Sequence, residues 1–160
     1  MPWPRPSLRS RRWTKQPRSI ERHSNGLPSG RRHYRLTLKD ALSAHKRAIS
    51  FGGRDGVPNL ALVQSAIARP YNGYYRGIAW KAAALVESMA SNHGFTDGNK
   101  RTTLILLHTF LQRSGYKLVA VPGDLSLQEA VENMILDVVN RRMDFGQLID
   151  WLKARVVASP

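Results

Sequence analysis

The chain has 160 residues, 42% of them hydrophobic, which suits one core of ordinary size. It contains no cysteine, which excludes disulfides, thiol catalysis and zinc–thiolate centres, and no apolar run reaches the length of a membrane span. Twenty-five Lys and Arg stand against eleven Asp and Glu, a formal charge of +14 that keeps anionic ligands in view.

That charge is uneven along the chain. Residues 1–33 hold nine Lys or Arg against one acid, Glu21, a net +8, whereas residues 34–160 hold sixteen against ten, a net +6. The front stretch also carries Pro2, Pro4, Pro6, Pro17 and Pro28 with only scattered apolar residues, too few to offset the entropy of ordering. It is expected to be a disordered basic tail, with the folded domain over residues 34–156. Ser10-Arg11-Arg12-Trp13-Thr14-Lys15 has the outline of a twin-arginine export signal. No apolar segment follows it, so export is not expected. Nucleic acid could be held only through this tail, by phosphate neutralisation. A passive tail, or one translated from a start codon set too far upstream, is the plainer reading.

Beyond the tail, Thr37 and Asp40 have the spacing of a capping box, and Leu38, Ala41, Leu42, Ala48 and Ile49 predict a helix ending near Gly52-Gly53. Asp55 to Pro58 is a turn and Leu60 to Ala68 a short helix. From Gly77 to Ser91, Ile78, Ala82, Leu85, Val86, Met89 and Ala90 recur near helical spacing. Thr102 to Ser114 is apolar almost all round, with Leu104, Ile105, Leu106, Leu107, Phe110 and Leu111, which predicts a central, buried helix. Gly115 closes it, Tyr116 to Val119 suits a short strand, and Pro122-Gly123-Asp124 turns the chain. Ser126 and Glu129 form a second capping box ahead of Leu127, Ala130, Val131, Met134, Ile135, Val138 and Val139, and Asp144 caps a last helix with Phe145, Leu148, Ile149 and Leu152. There are no internal repeats. The expected fold is an all-α bundle around the helix at 102–114, with at most a small β-hairpin flap. His108 reads as a hydrogen-bonded core histidine, His23, His33 and His45 support no constellation, and Trp80 and Trp151 read as core or rim aromatics.

Between the two most apolar helices lies His93-Gly94-Phe95-Thr96-Asp97-Gly98-Asn99-Lys100-Arg101-Thr102, far more polar than a packing segment needs. The loop ends at a helix N-terminus, where the first N–H groups lack helical partners and the macrodipole favours negative charge. Gly98 can take a positive φ and let the backbone close on an anion. Lys100 and Arg101, in the first turn of that helix, are poorly placed for the dipole unless an anion sits between them. Asp97 is a hard oxygen ligand that suits a Mg²⁺ arriving with phosphates, and His93 can accept a proton near neutral pH. Phe95 anchors the loop in the core. A transition-metal pair at His93 and Asp97 lacks a third His or Cys ligand nearby. The expected site is therefore His93 as catalytic base, Asp97 on the metal, and Gly98, Asn99, Lys100 and Arg101 around a polyphosphate.

This segment resembles the signature loop of the Fic/Doc family: a His, one residue, a Phe, one residue, an acid, a small residue, Asn, then Gly or Lys, then Arg. His93, Phe95, Asp97, Gly98, Asn99, Lys100 and Arg101 fill it in order. Fic adenylyltransferases usually have Gly after the Asn and a second Arg three residues after the first. Here those positions are Lys100 and Leu104, so the resemblance is to the Doc (death-on-curing) branch. Gly94 stands where many members have Pro, which suggests a looser entry to the loop. Gly53 to Arg76 and the run from Gly115 onward are similar as well, so the likeness spans Tyr34 to Val156.

The resemblance implies a Doc-like toxin of the bacterial cytoplasm that uses ATP and Mg²⁺ to phosphorylate a hydroxyl on a protein target. Elongation factor Tu is the target implied, with a block of translation, and an antitoxin acting in trans is the implied restraint. Some Fic proteins carry an inhibitory helix with Ser or Thr, three residues, Glu, then Gly or Asn. No such pattern occurs here, because Glu132-Asn133 has Gln128 in the Ser/Thr position. Two other readings stand beside this one: a Fic-type adenylyltransferase on the same loop, and a non-catalytic basic module that binds nucleic acid.

Overall fold

A computed structural model describes residues 32–160. The tail expected over residues 1–33 falls outside the described residues, apart from Arg32 and His33. Helix α1 (Leu38–Ile49) starts at the expected capping box: Asp40 N–H donates to Thr37 Oγ1 at 3.2 Å and Thr37 N–H to Asp40 Oδ2 at 2.8 Å. Its inner face is Ala41, Ala44, His45 and Ala48. Helix α2 (Leu60–Ala68) is capped by Asn59, whose Oδ1 accepts from Leu62 N–H, and runs into a 3-10 turn at Arg69–Tyr71. Helices α3 (Ile78–Asn92) and α4 (Asn99–Arg113) follow, then strand β1 (Tyr116–Leu118), helices α5 (Leu127–Val139) and α6 (Phe145–Arg155), and strand β2 (Val156–Ala158).

The core lies where α3 meets α2, α4, α5 and α6. Helix α3 is rich in alanine, and Ala79, Ala82, Ala83, Ala84 and Ala90 are all buried, which lets the neighbouring helices approach closely on several sides. This corrects one expectation: α3 carries the broader buried surface, and α4 is open along one side. Leu106, Leu107, Phe110 and Leu111 of α4 are buried, but Leu104 and Ile105 are only partly covered and His108 is exposed. His108 is therefore not a core histidine; the partial burial of its ring lowers its pKa from the ordinary value.

The expected hairpin is also corrected. β1 pairs antiparallel with β2 in the register Tyr116↔Ala158, Lys117↔Val157 and Leu118↔Val156, so α5 and α6 lie between the paired strands in sequence. Beside this pair, Arg155 makes a bidentate contact with Asp124, Nε to Oδ2 at 3.0 Å and Nη2 to Oδ1 at 2.6 Å. Both side chains are almost covered, and Asp124 also takes the N–H of Val121, pinning the turn at 121–124. The caps of the last two helices hold. Ser126 accepts from Glu129 N–H, without the return bond, and Asp144 with Gln147 closes a full capping box.

Candidate active site

The polar loop at 93–98 joins α3 to α4. His93 ends α3 in the left-handed region, φ 44° and ψ 47°, a conformation that costs a non-glycine residue energy and clusters at functional sites. Its side chain is exposed and faces a pocket of about 310 Å³ lined by Ala90, His93, Thr96, Asp97, Gly98, Asn99, Lys100, Arg101 and Val139. All six expected site residues thus line one pocket. Val139, at the end of α5, adds an apolar side chain to the lining.

Gly98 is the N-cap of α4 at φ 76°, and no side chain caps that helix. The intrahelical ladder starts only with Thr102 N–H to Gly98 O, so the first turn presents its amides toward the pocket. Helix α4 begins at Asn99, three residues before its apolar run at Thr102, and has Lys100 and Arg101 in its first turn, as expected.

The carboxylate of Asp97 is exposed and accepts two backbone N–H groups, from Arg54 at 3.0 Å and from Gly98 at 2.6 Å. These bonds, Arg54 first, hold its pKa below the ordinary carboxylate range, so it is ionised at neutral pH. No group of three His, Cys, Asp or Glu able to cage a metal occurs among the described residues. A single ionised carboxylate beside an uncapped helix N-terminus does fit Mg²⁺, which commonly takes one or two carboxylates and completes its shell with phosphate oxygens and water.

Asn99 is a staple. Its Oδ1 accepts from Phe95 N–H at 3.1 Å and its Nδ2 donates to Phe95 O at 2.8 Å, so both ends of the amide hold the loop in shape. Arg101 Nη1 donates to Ala48 O, in the last turn of α1, at 3.2 Å and to Gly52 O, just past that helix, at 2.5 Å. Although Arg101 opposes the dipole of its own helix, it sits at the negative end of another. Lys100 is exposed and has no such partner among the described residues, which leaves its ammonium open to the pocket.

Gly94 is buried, and its carbonyl accepts from Asn59 N–H at 2.8 Å. A Cβ at this position would lie 2.6 Å from Val63 Cγ2. The glycine therefore does not loosen the loop; it allows α2 to press against it, and a proline at 94 would meet the same methyl group.

The feature that sequence reasoning missed is the support from α1 and the segment after it. His45 is buried and stacks on Phe95 with ring centroids 3.9 Å apart and planes 6° apart, and its Nε2 lies 3.0 Å from Asp97 O. Nothing local in the sequence links position 45 to positions 95 and 97.

The helical bundle thus gathers a histidine, an ionised carboxylate and a lysine around an uncapped helix N-terminus, an arrangement that can receive an anion. The chain belongs to the Fic/Doc family, whose members are nucleotide-binding transferases: residues 35–111 match the Fic/DOC family model. Within the family its place is the Doc branch. It is 36% identical over 118 residues to Toxin Doc of Mycolicibacterium smegmatis (strain ATCC 700084 / mc(2)155), an alignment covering 71% of this chain and 86% of the relative. Among the described residues no helix is long and apolar enough to cross a membrane.

Proposed function

We propose that this protein is a Doc-like toxin that transfers the γ-phosphoryl group of ATP to a hydroxyl of a protein target. The observation that carries the reading is the pocket itself: His93, Asp97 and Lys100 converge on the open N-terminus of α4. Phosphoryl transfer asks little covalent chemistry of an enzyme and much positioning and charge neutralisation. Gly98 and the first amides of α4 cradle phosphate oxygens, and Lys100 and the exposed part of Arg101 add positive charge. Asn99 keeps the loop in the shape that presents these groups. Asp97 would hold Mg²⁺, which supplies further charge neutralisation when bound. His93 accepts the proton of the target hydroxyl; the new O–P bond forms as the bridging P–O bond breaks, and ADP leaves.

Two side chains favour transfer of the terminal phosphate over adenylylation. Lys100 puts bulk and charge where a glycine would let the phosphates run along the backbone. Leu104 lines a groove with Lys100, Arg101, Glu132, Ile135 and Leu136, and its own side chain offers no charge to a nucleotide bound in the opposite sense. By resemblance the target is elongation factor Tu, the consequence a block in translation, and the restraint an antitoxin acting in trans. The relative's name, Toxin Doc, supports the toxin reading. The folded domain is assigned to residues 34–156, with the last two residues of β2 running on to Ala158.

Incubation with bacterial lysate and ATP labelled at either the α- or the γ-phosphate tests the chemistry. The expected result is γ-label on a protein band, lost in His93→Ala and sharply reduced in Lys100→Gly. α-Label without γ-label would replace phosphorylation with adenylylation. No thermal shift with Mg²⁺–ATP would leave a non-catalytic nucleic-acid module. Expressed without a partner, the active protein should slow bacterial growth and the His93→Ala variant should not.

A further inference from the structure

We infer that His45 is a positioning residue of this site: it sets the Asp97–Gly98 peptide, and with it the metal-binding carboxylate, from the neighbouring helix α1. The inference rests on the metal-binding role proposed for Asp97 above. A polar ring that is 6% exposed must satisfy its hydrogen-bonding groups or pay for their burial. The Nε2 of His45 meets the carbonyl oxygen of Asp97 at 3.0 Å. A carbonyl only accepts, so Nε2 carries the hydrogen. The helical ladder of α4 begins one residue later, at Gly98 O, so the Asp97 carbonyl lies outside it and His45 is its donor.

The consequence follows from peptide planarity. The Asp97 C=O and the Gly98 N–H belong to one rigid plane, and that N–H donates to Asp97 Oδ1 at 2.6 Å. Holding the carbonyl from one side therefore aims the N–H that orients the carboxylate on the other. The ring adds a second restraint by stacking on Phe95, whose backbone Asn99 clamps. Ala48 and Ile49 of the same helix also lie beside Gly98, so α1 backs this turn at three positions.

Two substitutions divide the ring from the donor. His45→Phe keeps the stack and loses the N–H, whereas His45→Gln keeps an N–H and loses the ring. Hydrogen–deuterium exchange over residues 93–99 should be about tenfold faster in His45→Phe than in the native protein, the effect of one lost hydrogen bond. In the label-transfer assay the Mg²⁺–ATP concentration at half-saturation should rise by about the same tenfold with a smaller change in kcat. His45→Gln should recover most of the nucleotide affinity whatever its melting temperature. Unchanged exchange and unchanged half-saturation in His45→Phe would overturn the inference. So would a His45→Gln no better than His45→Phe, with both losses following melting temperature alone. If the native protein transfers no label, the functional reading fails by itself, and the exchange comparison still decides the role of His45. Should His45→Phe not fold, His45→Met fills the space without a ring N–H and takes its place.

Discussion

The contact between Gly94 and Val63 can be tested as a double-mutant cycle. A methyl group on Gly94 would lie 2.6 Å from Val63 Cγ2 and 3.3 Å from its backbone nitrogen. Carbon atoms pack at about 3.5–4.0 Å, so the side-chain overlap is roughly 1 Å. Val63 is 1% exposed and β-branched, so it has little freedom to rotate away. Overpacking of this kind costs about 1–3 kcal/mol, offset by about 0.4–1 kcal/mol from the stiffer unfolded chain. Gly94→Ala should therefore lose about 1–2 kcal/mol of stability. Val63→Ala removes two buried methyl groups and should lose about 2 kcal/mol. In the double variant the new methyl enters space the valine has vacated, so the losses should fall short of their sum by at least about 1 kcal/mol. Urea unfolding of the four proteins, followed by circular dichroism, measures the coupling. Losses that add to within about 0.5 kcal/mol would refute the claim that Gly94 is small because Val63 presses on it.

Other expectations follow from the same geometry. His93 pays for its left-handed conformation, so His93→Gly should gain about 1 kcal/mol of stability while losing label transfer; a destabilised variant would mean the ring is a packing element. Asp124 is held below the ordinary carboxylate range chiefly by its hydrogen bonds from Arg155. A depressed folded-state pKa contributes stability that is present above the unfolded value and lost as pH falls through the folded one. Asp124→Asn should accordingly flatten the acid limb of a plot of urea midpoint against pH, and an unchanged limb would deny the linkage. Removing residues 1–33 should leave the melting temperature and label transfer intact, and a dead or unfolded product would move the domain boundary into the basic stretch.

Local rules carried the sequence reading where a helix announces its own start. Thr37 with Asp40, Ser126 and Asp144 each place a side-chain oxygen on an early backbone N–H, and α1, α5 and α6 begin where those residues stand. The start of α4 carries less local signal, because its cap is Gly98, which offers no side-chain oxygen, and its apolar run begins only at Thr102. The chemical residues were legible together because they sit within nine positions of one another and converge on one pocket. Their support was not. His45, Arg54 and Asn59 reach the loop across gaps of 35 to 52 residues, and two of them use only their backbone N–H groups. β2 was missed for a related reason: three short residues after a helix have no strand periodicity, and their partner lies beyond two intervening helices.

The pairing of β1 with β2 has a consequence for motion. It closes a loop that contains residues 119–155, so α5 and α6 are tied at both ends and should open and close as one cooperative segment in hydrogen exchange. Val139, one of the residues lining the pocket, belongs to that segment. Fraying of the three residues of β2 should then loosen a segment that carries part of the pocket's lining, so that opening of the pocket follows the lifetime of this small sheet in hydrogen exchange.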